Sequence, residues 1–272
     1  CCMTKTPSLW AGKCRMRLST ISPNRHKRIR VALATLFWIV LWQILAMAMG
    51  QEYLLASPVA VLGELARLLT EPSAWLAALR SGWRILIGFF AAAAFGAALA
   101  FLSARLPWVR DLTAPLVGAA RSVPVASFVI LAIILVSTRW LSTLIAFVIG
   151  FPLIFGNVTE GIKRRDQKLK EVAQVFRVPG IRRLLYLDLP QIFPYFKSGA
   201  VSAMGLCWKS GIAAELIGIP NGSIGERLYM VKVNLYTAEL FAWTVIIVTL
   251  SALASRLVAF ASEAAMRCLE KL

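Results

Sequence analysis

Residues 169–190 read LKEVAQVFRVPGIRRLLYLDLP, a basic stretch set between two long apolar runs. Leu169, Val172, Ala173 and Phe176 fall at i, i+3, i+4 and i+7, the spacing of one apolar stripe on a helix. Pro179-Gly180 then breaks the helix, because proline lacks an amide donor and glycine accepts positive φ. A second short helix is expected over 182–187, ending before Leu189-Pro190. These features describe a compact helix–turn–helix lying on a membrane surface with an apolar face of its own to bury. An ordinary basic cytoplasmic loop would share the charge, but a loop that only joins two spans needs no such face.

The rest of the chain supplies the spans. Its 272 residues are 59% hydrophobic, with a mean hydropathy of +0.72, too apolar for a soluble domain of this size. A net charge of +17 would point to nucleic acid in a soluble protein. Here the positive charges sit between apolar blocks, so they read as topology signals and phospholipid contacts, and nucleic acid is not an expected partner. Cys1, Cys2, Cys14, Cys207 and Cys268 show no paired spacing, which argues against a disulfide framework. The single His26 sits in a basic run. No G-x-x-x-x-G-K-[ST] occurs, and metal-ligand clusters and nucleophile elbows are missing, so no catalytic or metal residue is expected.

Taken in order, residues 1–30 form a basic N-terminal tail, with Cys1, Met3 and Met16 as alternative starts. A first span is expected over 31–49. Ser57-Pro58 then opens an amphipathic run (Val59, Leu62, Leu65, Leu69), read as a short interfacial helix on the outer side. Further spans are expected over 85–103, 117–136, 141–158, 195–217 and 240–260. The second is rich in Gly and Ala (Gly88, Gly96), which allows close approach of helices in lipid. The third opens with Ser122 and Pro124, where a kink or a delayed start is expected. Gly150, Pro152 and Gly156 should bend the fourth. An outer loop at Pro220-Asn221-Gly222-Ser223 leads into a short helix over 224–232. The transmembrane domain thus spans 31–262, with the cytoplasmic loop at 163–190 and a tail over 263–272.

Counting Lys and Arg tests that topology. Inner segments carry 23 (eight in the tail, three at Arg105, Arg110 and Arg121, nine from Lys163 to Lys197, three from Arg256 onward), outer segments carry six, and Lys209 lies within a span. Such an excess favours six spans with both termini cytoplasmic. It also puts Glu171 on the side where ATP is.

Glu171, Ala173 and Leu189-Pro190 resemble the EAA signature of ABC importer permeases, in which E-x-A-x-x-x-G is followed at fixed spacing by L-P. The segment 75–88, with Ser81, Arg84 and Gly88, resembles the start of the permease core in the sulfonate/nitrate/taurine branch of that family. The resemblance covers about 52–262. It implies an all-α polytopic membrane protein of about six transmembrane helices, the type I ABC importer permease fold, in a bacterial plasma membrane. It also implies a coupling helix seated in a groove of a cytoplasmic ATPase subunit. Val172, Ala173 and Phe176 would pack in that groove and Glu171 would make a polar contact at its rim, with Arg177, Pro179, Gly180, Leu189 and Pro190 completing the loop. The signature glycine falls at Arg177 here, so Pro179-Gly180 is expected to make the turn. A second permease copy, two ATPase subunits and an extracytoplasmic binding protein are the implied partners. ATP and Mg would sit on the ATPase, leaving this chain without a cofactor. The branch carries sulfonates, nitrate, taurine, bicarbonate or pyrimidine precursors, and the sequence does not choose among them.

For the pathway, Lys209 is the most pointed candidate: an ammonium inside a membrane span either faces a cavity or snorkels outward. Glu215 lies six residues on, too far around the helix to pair with it, and is either a pathway residue or an acid solvated at the outer surface. Trp208, Ser122 and Pro124 complete the candidates. Gly205, Gly211 and Gly218 suggest a helix that packs tightly or flexes. A secondary transporter or another multi-pass membrane protein without an ATPase partner is the alternative; the first should show internal repeats and ionisable residues within its spans, and a membrane enzyme or scaffold should show clustered His, Asp or Glu.

Overall fold

The computed structural model describes residues 25–50, 54–122 and 124–270. Most of the basic tail, with Cys1, Cys2, Cys14, Met3 and Met16, lies outside the described residues. Among the described residues eleven α-helices follow one another: α1 Arg25–Met49, α2 Pro58–Thr70, α3 Pro72–Arg105, α4 Pro107–Ser122, α5 Val125–Leu135, α6 Thr138–Lys163, α7 Gln167–Val175, α8 Gly180–Arg183, α9 Leu189–Gly218, α10 Ile224–Val233 and α11 Thr237–Glu270. A π turn at Leu184–Asp188 joins α8 to α9. No strand occurs among the described residues.

Among the described residues five helices are long and apolar enough to cross a membrane, and the α4–α5 pair makes a sixth if counted as one broken span. That pair departs from the single kinked helix expected over 117–136. Its two helices meet at 107°, and Pro124 stands between them in an extended conformation as the N-cap of α5. A proline has no amide to carry a helix through, so the chain re-starts there in a new direction. At 34 residues, α3 is about 51 Å long at 1.5 Å per residue, well beyond a hydrocarbon core of roughly 30 Å. Part of its length therefore extends beyond such a core. The last helix runs unbroken through 263–270.

The core is the packing of α6 against α3 and α9. Small residues let these backbones meet. A Cβ on Gly88 would collide with the Thr143 carbonyl oxygen and come within 2.8 Å of Ala146 Cβ. The Thr143 hydroxyl donates back across the seam to the Arg84 carbonyl at 2.9 Å. Around this seam lie Ile85, Phe89, Ile154, Val158, Met204 and Cys207, all buried. Gly211 and Gly218 press against Ile85 and Leu141, so of the two readings of that glycine spacing, tight packing is the one observed.

Toward the periphery the helices turn apolar side chains outward. In α1, Leu36, Phe37, Trp38 and Met47 are exposed, and Trp42 meets Phe241 of α11 with ring centroids 5.5 Å apart. Lipid is the solvent such a surface fits. In α2, capped by the Ser57 hydroxyl accepting from the Ala60 amide, Val61 and Leu68 are buried while Val59, Leu62 and Leu69 face out. An outward apolar face is what an interfacial helix presents to a bilayer. Arg67 fastens α2 to α11 through Glu239, 3.0 Å away. Its hydrogen bond to Glu64 pushes the guanidinium pKa further up.

Candidate functional site

The stretch that decides the fold is a protruding loop between α6 and α9. Asp166 caps α7, its carboxylate accepting from the Lys168 amide at 2.8 Å. Along α7 the expected stripe divides. Val172 is 51% exposed and Phe176 76%, with Leu169 and Val175 also exposed, whereas Ala173 is 3% exposed. Ala173 is therefore not part of the outward face expected to seat in a partner. It is buried within its own chain. Glu171 is exposed beside Val172.

The turn also differs from the expectation. Arg177 adopts the left-handed region, with φ 50°. The Val178 amide donates to the Ala173 carbonyl at 2.9 Å, and the Arg177 amide to the Gln174 carbonyl at 3.0 Å. This pair of bonds is a Schellman motif, which requires a left-handed residue just past the helix end whatever its side chain. The turn thus stays at the position of the signature glycine, and Arg177 makes it. Gly180 has no positive φ; it opens α8, while Pro179 stops α7 from continuing. Nor does the second helix end before Leu189-Pro190. It passes through the π turn, where the Leu189 amide bonds to the Leu184 carbonyl, and runs straight into α9. Pro190, directly after the π turn, has no amide to donate back into it.

Two contacts that the sequence reading missed fix the base of the loop. Arg165, just past α6, reaches Asp188 at 2.9 Å, and Arg183 approaches the same carboxylate at 3.8 Å. The Asp166 amide donates to the Gln191 side chain at 2.8 Å, and Gln191 in turn donates to the Leu187 carbonyl at 2.9 Å. Both legs are clamped, so α7 sits on a rigid foot.

The pathway candidates separate into two groups. Glu215 is fully buried, neither solvated at the outer surface nor lining a channel within the chain. Ser81 donates to it at 2.5 Å and Ser142 at 3.1 Å, and Arg84 Nη1 stands 3.7 Å away. The Ser81 hydroxyl also accepts from the Ile224 amide at 2.9 Å, so one carboxylate ties α3, α6, α9 and the start of α10. Trp208 is buried in the core. Lys209, by contrast, is exposed, on a face of α9 shared with Ser202, Leu206 and Ala213. It lies nine residues before Gly218, about 14 Å along the helix. Ser122 donates within α4 to the Ala119 carbonyl, and Pro124 is exposed at the bend. Among the described residues no hydrogen bond or ion pair joins either of them to Lys209. No group of three His, Cys, Asp or Glu among the described residues could hold a metal ion.

A lipid-facing helical bundle around a glycine-packed core, with one clamped helix projecting from it, defines a polytopic membrane transport subunit. Residues 85–268 match the family described as binding-protein-dependent transport system inner membrane component, and the chain belongs to that family. It is similar to the nitrate import permease protein NrtB of Synechocystis sp., 27% identical over 201 residues covering 70% of this chain and 72% of the relative. The taurine transport system permease protein TauC of Escherichia coli is 23% identical over 254 residues, 91% of this chain and 89% of its own. The bicarbonate transport system permease protein CmpB of Synechococcus elongatus is 25% identical over 178 residues, 65% and 64% of the two chains. The chain is a transmembrane permease subunit of an ATP-binding-cassette transporter.

Proposed function

We propose that the chain is the permease of an importer in which α7 docks in a groove of a separate cytoplasmic ATPase subunit, which holds ATP and Mg. The observation that carries this is the exposed apolar face of Leu169, Val172, Val175 and Phe176 on a clamped helix. An apolar face held out on a rigid foot fits a partner groove, and the excess of Lys and Arg in the loop and tails supports a cytoplasmic position for it in a bacterial inner membrane, with both termini on that side. Two copies of the chain with two ATPases would rock between inward- and outward-open states as the ATPases close. A binding protein on the outer side would deliver the solute. Purified alone, the chain should not hydrolyse ATP; it should co-purify with its ATPase, and turnover by the isolated chain would overturn the assignment.

The solute is a small polar or anionic compound of the kind named in the relatives: nitrate, sulfonate, taurine or bicarbonate. Lys209 supports this, since an ammonium on an open face deep in a span fits a water-lined path and favours an anion there. Transport in an assembled complex should fall at least ten-fold in Lys209→Met and largely survive in Lys209→Arg. Unchanged uptake in both would assign Lys209 to the lipid interface.

A further inference from the structure

A cavity of about 540 Å³ opens where the outer part of α3, the start of α6 and the turn after α9 meet. Arg80, Arg84 and Arg139 line it, flanked by Trp83, Trp140 and Asn221, and no acidic side chain does. We propose that this cup binds a compact oxyanion group of the carboxylate, sulfonate or phosphate class, presented by a free solute or by a lipid headgroup.

The positions of the arginines carry the inference. Arg84 Nη1 is buried without a hydrogen-bond partner, and the nearest acid, Glu215, is 3.7 Å away with its oxygens already taken by Ser81 and Ser142. That nitrogen is turned toward the Glu215 carboxylate, so Arg84 stands in the wall of the cup with its charge partly offset. Arg80 folds over Gly222, whose φ of +68° and missing side chain leave the space that Nη1 occupies. Arg139 lies over the Trp140 ring at 5.9 Å. Among the described residues neither Arg80 nor Arg139 has an ion pair. Helix α6 also begins at the cup, and Ser137 gives it no side-chain cap bond, so the positive end of its dipole adds to the field. Setting Glu215 against Arg84 leaves two uncompensated guanidinium groups, whose forked donors match planar or tetrahedral oxyanions.

Binding by this chain alone is at issue, so the claim stands or falls apart from the assembly proposed above. The full chain, purified in neutral detergent, is titrated with inorganic phosphate, methanesulfonate and acetate against a chloride background of matched ionic strength. In parallel it is placed in nanodiscs of phosphatidylglycerol and phosphatidylcholine, and retained lipid is read by native mass spectrometry. Saturable one-per-chain binding of a free anion, or selective retention of phosphatidylglycerol, supports the cup, and the arm that responds identifies the source. Either signal should weaken at least ten-fold in the Arg80→Gln, Arg139→Gln double variant and recover in part with Arg139→Lys restored. Arg227→Gln, outside the cup, should leave it unchanged. Thermal unfolding of each variant reports folding. No preference over chloride or phosphatidylcholine in either arm, or an undiminished signal in a folded double variant, overturns the proposal. Capture of an acidic protein segment without binding of any of these probes also overturns it.

Discussion

The amide of Val178 donates to the carbonyl of Ala173 at 2.9 Å, closing helix α7 across a left-handed Arg177. The motif's glycine is missing, but the geometry that glycine serves is retained. A non-glycine residue in that region costs roughly 1–2 kcal/mol. Glycine would give back about 0.5–1 kcal/mol through its freedom in the unfolded chain. Arg177→Gly should therefore firm the turn slightly and slow hydrogen exchange of the Val178 amide a few-fold, whereas Arg177→Val should speed it.

The Glu215 carboxylate holds three helices at one point, with Ser81, Ser142 and Arg84 all turned toward it. Glu215→Leu would leave Arg84 without a counter-charge in a buried place, a loss of about 3–5 kcal/mol. Glu215→Gln also removes that counter-charge but keeps an acceptor for a serine, so it should cost about 1 kcal/mol less than the Leu variant. Thermal unfolding in detergent should rank wild type, Gln, then Leu, with the wide gap after wild type. Melting of both variants with wild type would show that the carboxylate does not hold the core.

Much of this was readable beforehand, and where it was not the reasons are physical. Ser81, Arg84 and Gly88 stood out through a family resemblance, and all three meet at the α3–α6–α9 seam. Their partner Glu215 was read as pathway or surface, because helical periodicity places it away from Lys209 but does not say what lies across from it. The hidden partners are 134 and 73 residues away. Ala173 shared a stripe with Val172 by spacing, yet a stripe about one residue wider than the contact has an edge that turns inward. The Arg165–Asp188 clamp was invisible for a similar reason: no local period links two residues on opposite legs of a loop. Residue preference points to Pro179-Gly180 for the turn, while the hydrogen-bond pattern at the helix end puts it at Arg177.

The clamp makes its own prediction. Asp188→Leu strands Arg165 and Arg183, each partly buried, and should cost about 1.5–3 kcal/mol locally. The spans keep their packing, so membrane insertion and the melting of the core should hold. In an assembled complex, solute uptake should fall while ATP hydrolysis continues, because a loosened foot no longer passes movement into α6 and α9. Uptake and hydrolysis falling in step would show instead that the clamp only supports docking.

The central claim is that the outward face of α7 seats in an ATPase subunit. A photo-crosslinking amino acid placed at Val172 or at Phe176, within a complex that still hydrolyses ATP, tests it most directly, with Val59 on the outward face of α2 as the control. Irradiation should join the chain to the ATPase subunit from positions 172 and 176 and not from 59. An intact, active complex in which neither 172 nor 176 reaches the ATPase would contradict the account.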